Sequence, residues 1–382
     1  MNILNGFKVL CGDFRSLLRR EIDFYKVQPR ASTLYLTYRC NSKCKTCTMW
    51  KRPQEQEIKK EIGLEDWKII VNKLAASSIR ITEIFGGNVL LRKEVLIPLL
   101  AYLYEKGIAV HLPTNQIGLD EEIAEAIAKY VDSVYISIDG VDHEQDNIRG
   151  IDGASLAVIE SINNILKFKS VIKSQNRKLR LVCNCTISKL NYKSMENIVH
   201  YAENKGFDEV HFEYAGEFKQ EDIDESKVMG IVPRPHYVLQ GESILANKHE
   251  ACLIKRNIKK IKKNKKTKDF VSTINIDTLS EENLWNGTIP HKKCYVERNE
   301  VTIDPYGNMV ACPFFDNFII GNILDMPMEK AWNNDRHKAF RKAQNHGELP
   351  MCSHCILGVQ RNPGIMKTVQ RIYLKRIEPY LC

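Results

Sequence analysis

Between residues 33 and 214, short apolar segments typical of buried strands alternate with longer segments that have the apolar spacing of amphipathic helices. Strands are predicted at residues 33–38, 80–85, 108–113, 133–138, 179–186 and 209–214. Helices are predicted between them at residues 64–76, 94–106, 121–130, 155–168 and 193–205. Strands that alternate with helices pair in parallel through right-handed crossovers. The pattern therefore predicts an α/β chain built on a parallel sheet, either a barrel or an open doubly wound sheet.

Polar and glycine-rich segments follow four of these strands, at residues 39–47, 86–88, 114–116 and 139–140. In parallel α/β folds the functional residues collect at the carboxyl ends of the strands. These segments were not used to place the strands, so their position is independent support for the assignment. We expect the functional site at this edge of the sheet.

Three cysteines, Cys40, Cys44 and Cys47, lie in the sequence CNSKCKTC directly after the first strand. Three thiolates are one fewer than a cubane iron–sulfur cluster binds, so one iron stays open for a ligand that is not protein. A zinc site normally closes with four ligands and uses paired C-x2-4-C motifs. The spacing favours a reactive cluster, with a zinc or structural site as the alternative.

Four more cysteines form a second set near the C-terminus: Cys294, Cys312, Cys352 and Cys355. A hairpin is predicted around Cys312, with strands at residues 300–304 and 309–312 joined by the turn sequence PYGN. A helix is predicted at residues 328–343. Four thiolates would fully ligate one [4Fe–4S] cluster, and four-cysteine zinc is the alternative.

The net charge of +9 arises from residues 255–268, where nine residues are Lys or Arg and none is acidic. Such runs are typical of solvated, mobile loops, with a membrane surface, nucleic acid or an acidic peptide as the functional alternative. Few aromatic residues interleave the lysines, which disfavours nucleic acid. Twelve cysteines indicate reduced thiols or metal ligands, and hence a cytoplasmic protein.

Four regions are expected along the chain. Residues 1–32 hold an amphipathic helix that packs on the barrel, with peripheral membrane docking as an alternative. Residues 33–230 form the α/β unit, residues 231–290 a connector with the lysine-rich loop, and residues 291–382 the second cysteine unit.

The cysteine triplet, the Gly86-Gly87-Asn88 segment, the segment VYISIDGVDHEQDNIRG and the C-terminal cysteine set together resemble the radical S-adenosylmethionine (SAM) superfamily with a SPASM/Twitch extension. The resemblance implies a partial (β/α)6 TIM-like barrel followed by a small α+β cluster-binding domain. It also implies SAM and a [4Fe–4S] cluster at the triplet, and one auxiliary [4Fe–4S] cluster of the Twitch kind at the second set.

The resemblance assigns SAM contacts residue by residue. Gly86, Gly87 and Asn88 correspond to the segment near the methionyl amino group, and Asn115 to the segment near the adenosyl group. Ser137 and Arg149 correspond to the residues that hold the SAM carboxylate; a guanidinium suits a carboxylate because it donates bidentately. Asn88 departs from the usual Glu, and Thr46 from the usual aromatic residue, whose place Met49 or Trp50 would take.

Candidates for catalysis come from two strands. Cys183 and Cys185 share one face of the fifth strand, where a thiol facing the barrel lumen could donate a hydrogen atom to a substrate radical. Buried cysteines more often act as small apolar residues. Glu213 and His211 share a face of the sixth strand and are acid or base candidates.

The resemblance implies an enzyme that reductively cleaves SAM to a 5′-deoxyadenosyl radical and abstracts hydrogen from a substrate, fed by a flavodoxin- or ferredoxin-type electron donor. About 30 residues precede the first strand, too few for a winged-helix domain that binds a leader peptide. This favours a small-molecule, carbohydrate or lipid-linked substrate. The alternatives are a maturase of ribosomal peptides and, more distantly, a non-catalytic metal-binding protein; oxidation, epimerisation and coupling are not separated.

Overall fold

A computed structural model describes residues 29–357, apart from residues 78, 174–177, 240, 265, 268, 290–293 and 295–299. The predicted N-terminal amphipathic helix lies outside the described residues. Among the helices that are described, none combines the length and the apolar character needed to cross a lipid bilayer.

Seven strands run parallel to one another in one sheet and follow the order of the chain. Their bounds are β1 Ala31–Thr37, β2 Ile81–Gly86, β3 Ala109–Thr114, β4 Ser133–Ser137, β5 Arg180–Ile187, β6 Glu209–Tyr214 and β7 Val271–Ser272. The first six correspond to the predicted strands, and the α/β prediction is confirmed. The short β7 comes from the connector, where no strand was predicted. Because side chains from β1 through β7 line one cavity, the sheet curves around it as a partial barrel.

Helices follow the strands, and the longer ones pack against the outer face of this sheet. Their bounds are α1 Gln54–Ile58, α2 Leu64–Ala76, α3 Lys93–Glu105, α4 Glu121–Tyr130, α5 His143–Arg149, α6 Ala154–Lys173 and α7 Met195–Asn204. Helix α4 illustrates why these segments are helical: the Asp120 side chain accepts from Ile123 N and caps the first turn. Ile123 and Ile127 then recur on one face and are buried against the sheet.

The connector is more ordered than predicted. It contains α9 Lys248–Lys263, α10 Ile274–Asp277 and α11 Glu281–Asn286, and a short helix, α8 Gln220–Glu225, precedes it. The prediction of a lysine-rich loop was wrong for most of the run, because residues 255–263 belong to α9. Asn247 and Glu250 form a capping box at its start, and Ile254, Ile258 and Ile261 are buried along one face. The lysines therefore occupy the outer face of an amphipathic helix.

The C-terminal unit joins the same sheet. Strand β8 (Glu300–Ile303) pairs in parallel with β1, and β9 (Asn308–Val310) and β10 (Ile319–Asn322) continue the sheet antiparallel. The predicted hairpin is present, but the predicted helix at residues 328–343 is two helices, α12 (Met328–Ala331) and α13 (Asp335–Asn345). The break falls at Asn333, whose φ is 72°, and Asn334 caps α13 by accepting from His337 N.

Candidate active site

A cavity of about 1160 Å³ occupies the inside of the partial barrel. Its wall includes side chains from every strand from β1 to β8, together with residues of the loops at their carboxyl ends. All three cysteines of the first set line it, as do the predicted SAM contacts. The structure therefore brings together residues that are far apart in the sequence, at the edge of the sheet where the site was expected.

The loop that carries Cys40, Cys44 and Cys47 is fixed by hydrogen bonds to its own backbone and to distant segments. Cys40 N donates to Gln54 Oε1 at 2.9 Å, and the Cys47 sulfur accepts from Met49 N at 3.4 Å. The pKa of the Cys47 thiol is raised to about 12, mainly by burial and in part by the neighbouring Cys44 and Cys40. Such a thiol ionises only beside a compensating positive charge, which bound iron would supply.

The two glycines after β2 allow this loop to lie against the sheet. A Cβ atom at Gly87 would lie 2.1 Å from the Arg39 carbonyl oxygen, and one at Gly86 would lie 2.3 Å from the Thr37 carbonyl oxygen. Because no Cβ atom is present, the two segments lie close enough for Gly87 N to donate to Thr37 O at 3.0 Å. The glycines are required here because the backbone of the cysteine loop comes close to them.

Asn88 lines the cavity, but both ends of its amide group have protein partners. Its Oδ1 accepts from Leu90 N at 3.1 Å, and its Nδ2 donates to Asn41 Oδ1 and Ile117 O at 2.9 and 2.8 Å. The side chain therefore caps the short 3-10 helix Val89–Arg92. A direct contact of Asn88 with SAM stays a prediction, as does that of Asn115, whose Nδ2 donates to Ser42 Oγ at 2.9 Å.

Arg149 is held between an acid and a cysteine. Its Nη2 lies 2.7 Å from Asp139 Oδ2 and its Nη1 lies 3.9 Å from the Cys44 sulfur. Burial acts to lower the pKa of Arg149, but Asp139 and Cys44 outweigh it and the pKa is raised. Its Nε is buried and has no hydrogen-bond partner. Arg149 lines the cavity together with the cysteines, so this remaining donor fits a carboxylate ligand such as that of SAM.

The turn that carries Arg149 also packs on the cysteine loop. Lys43 N donates to Arg149 O at 3.1 Å. Gly150 has a φ of 64°, and a Cβ atom there would lie 2.4 Å from the Lys43 carbonyl oxygen. Asp139 is 1% exposed and also accepts from Thr186 N at 2.8 Å. Because Asp139 pairs with Arg149 at 2.7 Å, it orients the guanidinium.

Other predicted residues lie in the same wall. Ser137, at the end of β4, and Thr46, Met49 and Trp50 of the cysteine loop all line the cavity. Trp50 Nε1 donates to Cys47 O at 2.8 Å, while Met49 is buried against the aromatic pair Tyr35 and Tyr38. Both side chains are therefore fixed beside the third cysteine.

The prediction that Cys183 and Cys185 face the barrel lumen was wrong. Both are 0% exposed and belong to the apolar core on the helix side of β5. Their neighbours in the strand, Asn184 and Thr186, line the cavity instead. The alternation was read correctly, but which of the two faces turns inward depends on the sheet curvature, which periodicity does not give. Glu213 does line the cavity, with His211 Nδ1 3.6 Å from its Oε1.

The second cysteine set surrounds a smaller cavity. Cys294, Cys312, Cys352 and Cys355 line it together with apolar side chains that include Phe315 and Phe340. Burial, reinforced by the other cysteines of the set, raises the pKa of the Cys312 and Cys352 thiols well above the usual value. Four thiols in an apolar pocket fit a fully ligated iron–sulfur cluster.

Zinc was the alternative for both cysteine sets. Within the part of the chain that the structure describes, no three Cys, His, Asp or Glu side chains are grouped to hold one metal ion. A single zinc needs its ligands around one point, whereas the thiolates of a cubane cluster each bind a different iron.

Three aromatic side chains of the site were not predicted. His236, Tyr237 and Phe314 line the main cavity, and their rings pack on one another, with centroids 4.5 to 5.4 Å apart. Phe314 also lines the cavity of the second cysteine set, so it forms a wall shared by the two cavities. Burial, assisted by Arg52, lowers the pKa of His236 to about 3, so the ring is neutral. The first two lie in the connector, which has no periodic pattern to identify them.

Two family matches cover most of the described chain. Residues 34–182 match the radical SAM superfamily, and residues 294–356 match the SPASM iron–sulfur cluster-binding domain. The Fe-coproporphyrin III synthase of Methanosarcina barkeri is 26% identical over 208 residues, which are 53% of this chain and 49% of that protein. The chain thus spans about half the length of this curated relative.

Other relatives align over more of the chain. The mycofactocin maturase MftC of Mycolicibacterium smegmatis is 23% identical over 337 residues, 85% of this chain and 76% of that protein. The structure of Streptococcus suis SuiB bound to its precursor peptide SuiA has the same fold, with a TM-score of 0.61 and 14% identity. The superposition covers 91% of this chain and 76% of that one. Each of the two matched regions contains one of the cysteine sets. The chain therefore belongs to the radical SAM superfamily and carries a C-terminal SPASM domain.

Proposed function

We propose that the chain is a radical SAM enzyme that modifies a peptide. The observation that carries this is the single cavity that begins at Cys40, Cys44 and Cys47 and extends to Phe314, the wall of the second cysteine cavity. A substrate held in this cavity would have the first cysteine set at one end. Phe314 would separate it from the second cysteine set. That placement suits a reaction in which hydrogen is removed at one cluster and an electron leaves toward the other.

Each residue of the first site has a role in this proposal. The three cysteines would hold a [4Fe–4S] cluster, and Arg149 would orient the SAM carboxylate through its Nε, with Asp139 fixing the guanidinium. When bound, cluster and SAM supply a one-electron cleavage that yields a 5′-deoxyadenosyl radical. Trp50, Tyr35 and Phe85 form apolar wall around the reacting region, which would keep water away from a radical.

The second cysteine set would hold the auxiliary cluster. Its apolar, buried pocket lowers the access of water, and both burial and hydrogen bonding set the reduction potential of such clusters. Cys352 and Cys355 follow the helix pair and Cys312 follows the hairpin, so two separate elements position these three cysteines. A flavodoxin- or ferredoxin-type protein is the proposed source of the electron for the first cluster.

The substrate class proposed here differs from the sequence expectation. A small-molecule, carbohydrate or lipid-linked substrate was favoured, with a peptide as the alternative. The relatives that align over most of the chain, MftC and SuiB, are named as a maturase and as a protein bound to a precursor peptide. Their names favour the peptide, so we adopt the alternative.

A second candidate is a tetrapyrrole, because the M. barkeri relative is an Fe-coproporphyrin III synthase. Coproporphyrins carry propionate groups, which are anionic at neutral pH. Among the described residues, the cavity wall carries six carboxylate side chains and two arginines, and like charges repel. The wall therefore disfavours this substrate.

The test is 5′-deoxyadenosine formation by anaerobically reconstituted, reduced protein, followed by mass spectrometry for deuterium transferred from deuterated peptides. We expect product from the wild type and none from Cys40→Ala, while Cys252→Ala, a cysteine outside both sets, serves as the matched control. Deuterium transfer from coproporphyrin but from no peptide would reject the peptide proposal. If the protein bound zinc and no sulfide, the proposal that it is a radical SAM enzyme would be rejected.

A further inference from the structure

The outer side of α9 carries a row of exposed cations. Lys248, Arg256, Lys259 and Lys263 are all exposed. At 3.6 residues per turn their positions fall within an arc of about 80° around the helix axis. The one acid of α9, Glu250, lies outside this arc and belongs to the capping box. We call these four side chains the basic face.

Most of the charge on the basic face is not neutralised by the fold. The neighbouring Lys260 and Lys262 lie 2.7 and 2.8 Å from carboxylate oxygens of Glu196 and Asp277. Within the part of the chain that the structure describes, no such ion pair is formed by the Arg and Lys side chains at positions 256, 259 and 263. These three charges therefore remain available to an external anionic partner.

An exposed aromatic side chain borders one end of the basic face. Trp285, on α11, is 38% exposed, and Lys248 Nζ lies 4.7 Å from the centroid of its ring. Helices α9 and α11 pack on each other, which fixes this arrangement. Tryptophan is enriched among the residues that anchor protein–protein interfaces, where a polar rim surrounds an apolar contact. The face and the ring together have the composition of such a docking surface.

The Trp285 end of the surface lies next to the second cysteine set. Gly287 ends α11 two residues after Trp285, and its carbonyl oxygen lies 3.1 Å from His354 Nδ1. His354 is one of the two residues between Cys352 and Cys355. A molecule docked at Trp285 would therefore be separated from the thiols of the second set by only a few bonded and hydrogen-bonded residues.

Three kinds of anionic partner can be compared. A membrane-surface helix inserts apolar side chains beside its cations, but Ala251, Ile254, Ile258 and Ile261 of α9 are buried in the protein. Single-stranded nucleic acid stacks its bases on aromatic residues interleaved with the cations, and α9 contains no Phe, Tyr or Trp. An acidic protein surface needs complementary charge and an anchor, and the basic face with Trp285 provides both.

We infer that the basic face and Trp285 dock an acidic protein that carries single electrons, of the flavodoxin or ferredoxin class. The inference rests on the proposed function, in which the second cysteine set holds an auxiliary cluster. The docked carrier would exchange one electron with that cluster. Oxidation of the carrier by one electron balances reduction of the cluster by one electron, and no proton or chemical group is transferred.

The first test is binding, because binding does not require turnover. Calorimetric titration of the reconstituted protein with an oxidised, acidic flavodoxin would compare the wild type with the triple variant Arg256→Gln/Lys259→Gln/Lys263→Gln. We expect binding to the triple variant to be at least about tenfold weaker at ~50 mM salt, with the difference lost near ~500 mM, where surface charges are screened. The matched control removes three exposed lysines of other segments and should bind like the wild type: Lys129→Gln, Lys167→Gln and Lys178→Gln.

The second test measures electron exchange at the second cluster. In a Cys40→Ala background, which lacks the first cluster, flavodoxin hydroquinone would reduce the second cluster while its own semiquinone forms, and both changes are followed by absorbance. We expect the triple variant, and separately Trp285→Ala, to slow this exchange at least about fivefold at low salt. Dithionite is a small molecule that needs no docking surface, so it should reduce all of these proteins at the same rate. Iron content, measured in the same samples, shows that the cluster is assembled.

Three results would overturn the inference. One is equal flavodoxin affinity of the wild type and the triple variant. Another is the absence of electron exchange between flavodoxin and the second cluster in the Cys40→Ala protein. The third is a triple variant that binds flavodoxin normally but no longer binds anionic vesicles or single-stranded DNA, which would assign the basic face to that partner.

The proposed function fails separately. If the fully iron-loaded wild type formed no 5′-deoxyadenosine with dithionite and any deuterated peptide, the peptide-modifying function would be rejected. Charge-dependent docking of flavodoxin, with electron exchange at the second cluster, would still support the docking surface. Peptide modification with dithionite, together with flavodoxin binding that ignores the basic face, would keep the function and overturn the inference.

Discussion

Arg149 Nη1 lies 3.9 Å from the Cys44 sulfur. One guanidinium therefore touches a cluster cysteine and is held from behind by Asp139. The carboxyl end of β4 and the end of α5 meet at this point, and the loop of residues 40–47 is hydrogen-bonded to the same turn. A ligand bound at the cysteines would contact a side chain that the fold has already oriented.

Arg149→Lys should weaken SAM binding without loss of iron. Hydrogen bonds to charged groups contribute about 1.5–3 kcal/mol, so we expect a loss of about tenfold to a hundredfold in affinity. Anaerobic equilibrium dialysis with SAM would measure it. Arg180→Lys, which alters the other arginine of the wall, is the control. Loss of iron with unchanged SAM affinity would contradict the role given to Arg149.

Gly87→Ala should prevent correct assembly of the first cluster. The new Cβ would lie 2.1 Å from the Arg39 carbonyl oxygen and 2.9 Å from the Cys40 Cβ. Overpacking of this kind costs about 1–3 kcal/mol. Gly63→Ala is the matched control, since nothing lies within 4 Å of a Cβ there. Iron and sulfide per chain are the readout, and equal loading of both variants would refute the expectation.

Cys183→Ala should leave 5′-deoxyadenosine formation and deuterium transfer unchanged. The thiol is 0% exposed and packs on the helix side of the sheet, so it does not reach a substrate in the cavity. We expect only a loss of about 1 kcal/mol in the free energy of unfolding, from the lost packing. If the variant formed 5′-deoxyadenosine but no longer completed the reaction, the thiol would be a hydrogen donor after all.

His236 should make the stability depend on pH. Burial, with Arg52, lowers its pKa in the folded chain from 6.5 to about 3. As the pH falls, the unfolded chain therefore binds the proton before the folded chain does. The contribution of neutral His236 to the free energy of unfolding is fully present above pH 6.5 and is lost as the pH falls toward 3. Between pH 7 and pH 5 the loss is about 2 kcal/mol. His236→Phe should flatten this dependence, as measured by urea unfolding of iron-loaded protein at both pH values; parallel profiles would argue against it.

Ile258→Ala tests the amphipathic helix α9. Ile258 is 3% exposed, and truncation of a buried isoleucine costs about 2–5 kcal/mol. Lys259→Ala, on the adjacent exposed position, should change the free energy of unfolding by less than about 0.5 kcal/mol. Thermal unfolding of the two variants compares them directly. If both variants changed the free energy of unfolding by a similarly small amount, the segment would be the solvated loop that its charge predicts.

The residues that could be predicted from the sequence are those whose spacing is local. Cys40, Cys44 and Cys47 share one loop, and Arg149 ends α5, the short helix that follows β4. Residues such as Tyr237 and Asn275 reach the cavity through long-range packing of the connector, which no local pattern describes. The helix α9 was not predicted because the run of lysines was interpreted as a loop. Four apolar positions with helical spacing in the same segment indicate a helix.

The pairing of β8 with β1 connects Ala31 to Glu300, so one edge of the barrel is completed by residues that the ribosome makes long after β1. At about 5–20 residues per second, that interval is on the order of ten seconds to a minute. Until then β1 has an open edge, of the kind that pairs with other chains. If iron and sulfide reached Cys40, Cys44 and Cys47 during this interval, the barrel around these cysteines would still be incomplete. A complete first site therefore requires β8 to have been made and paired with β1.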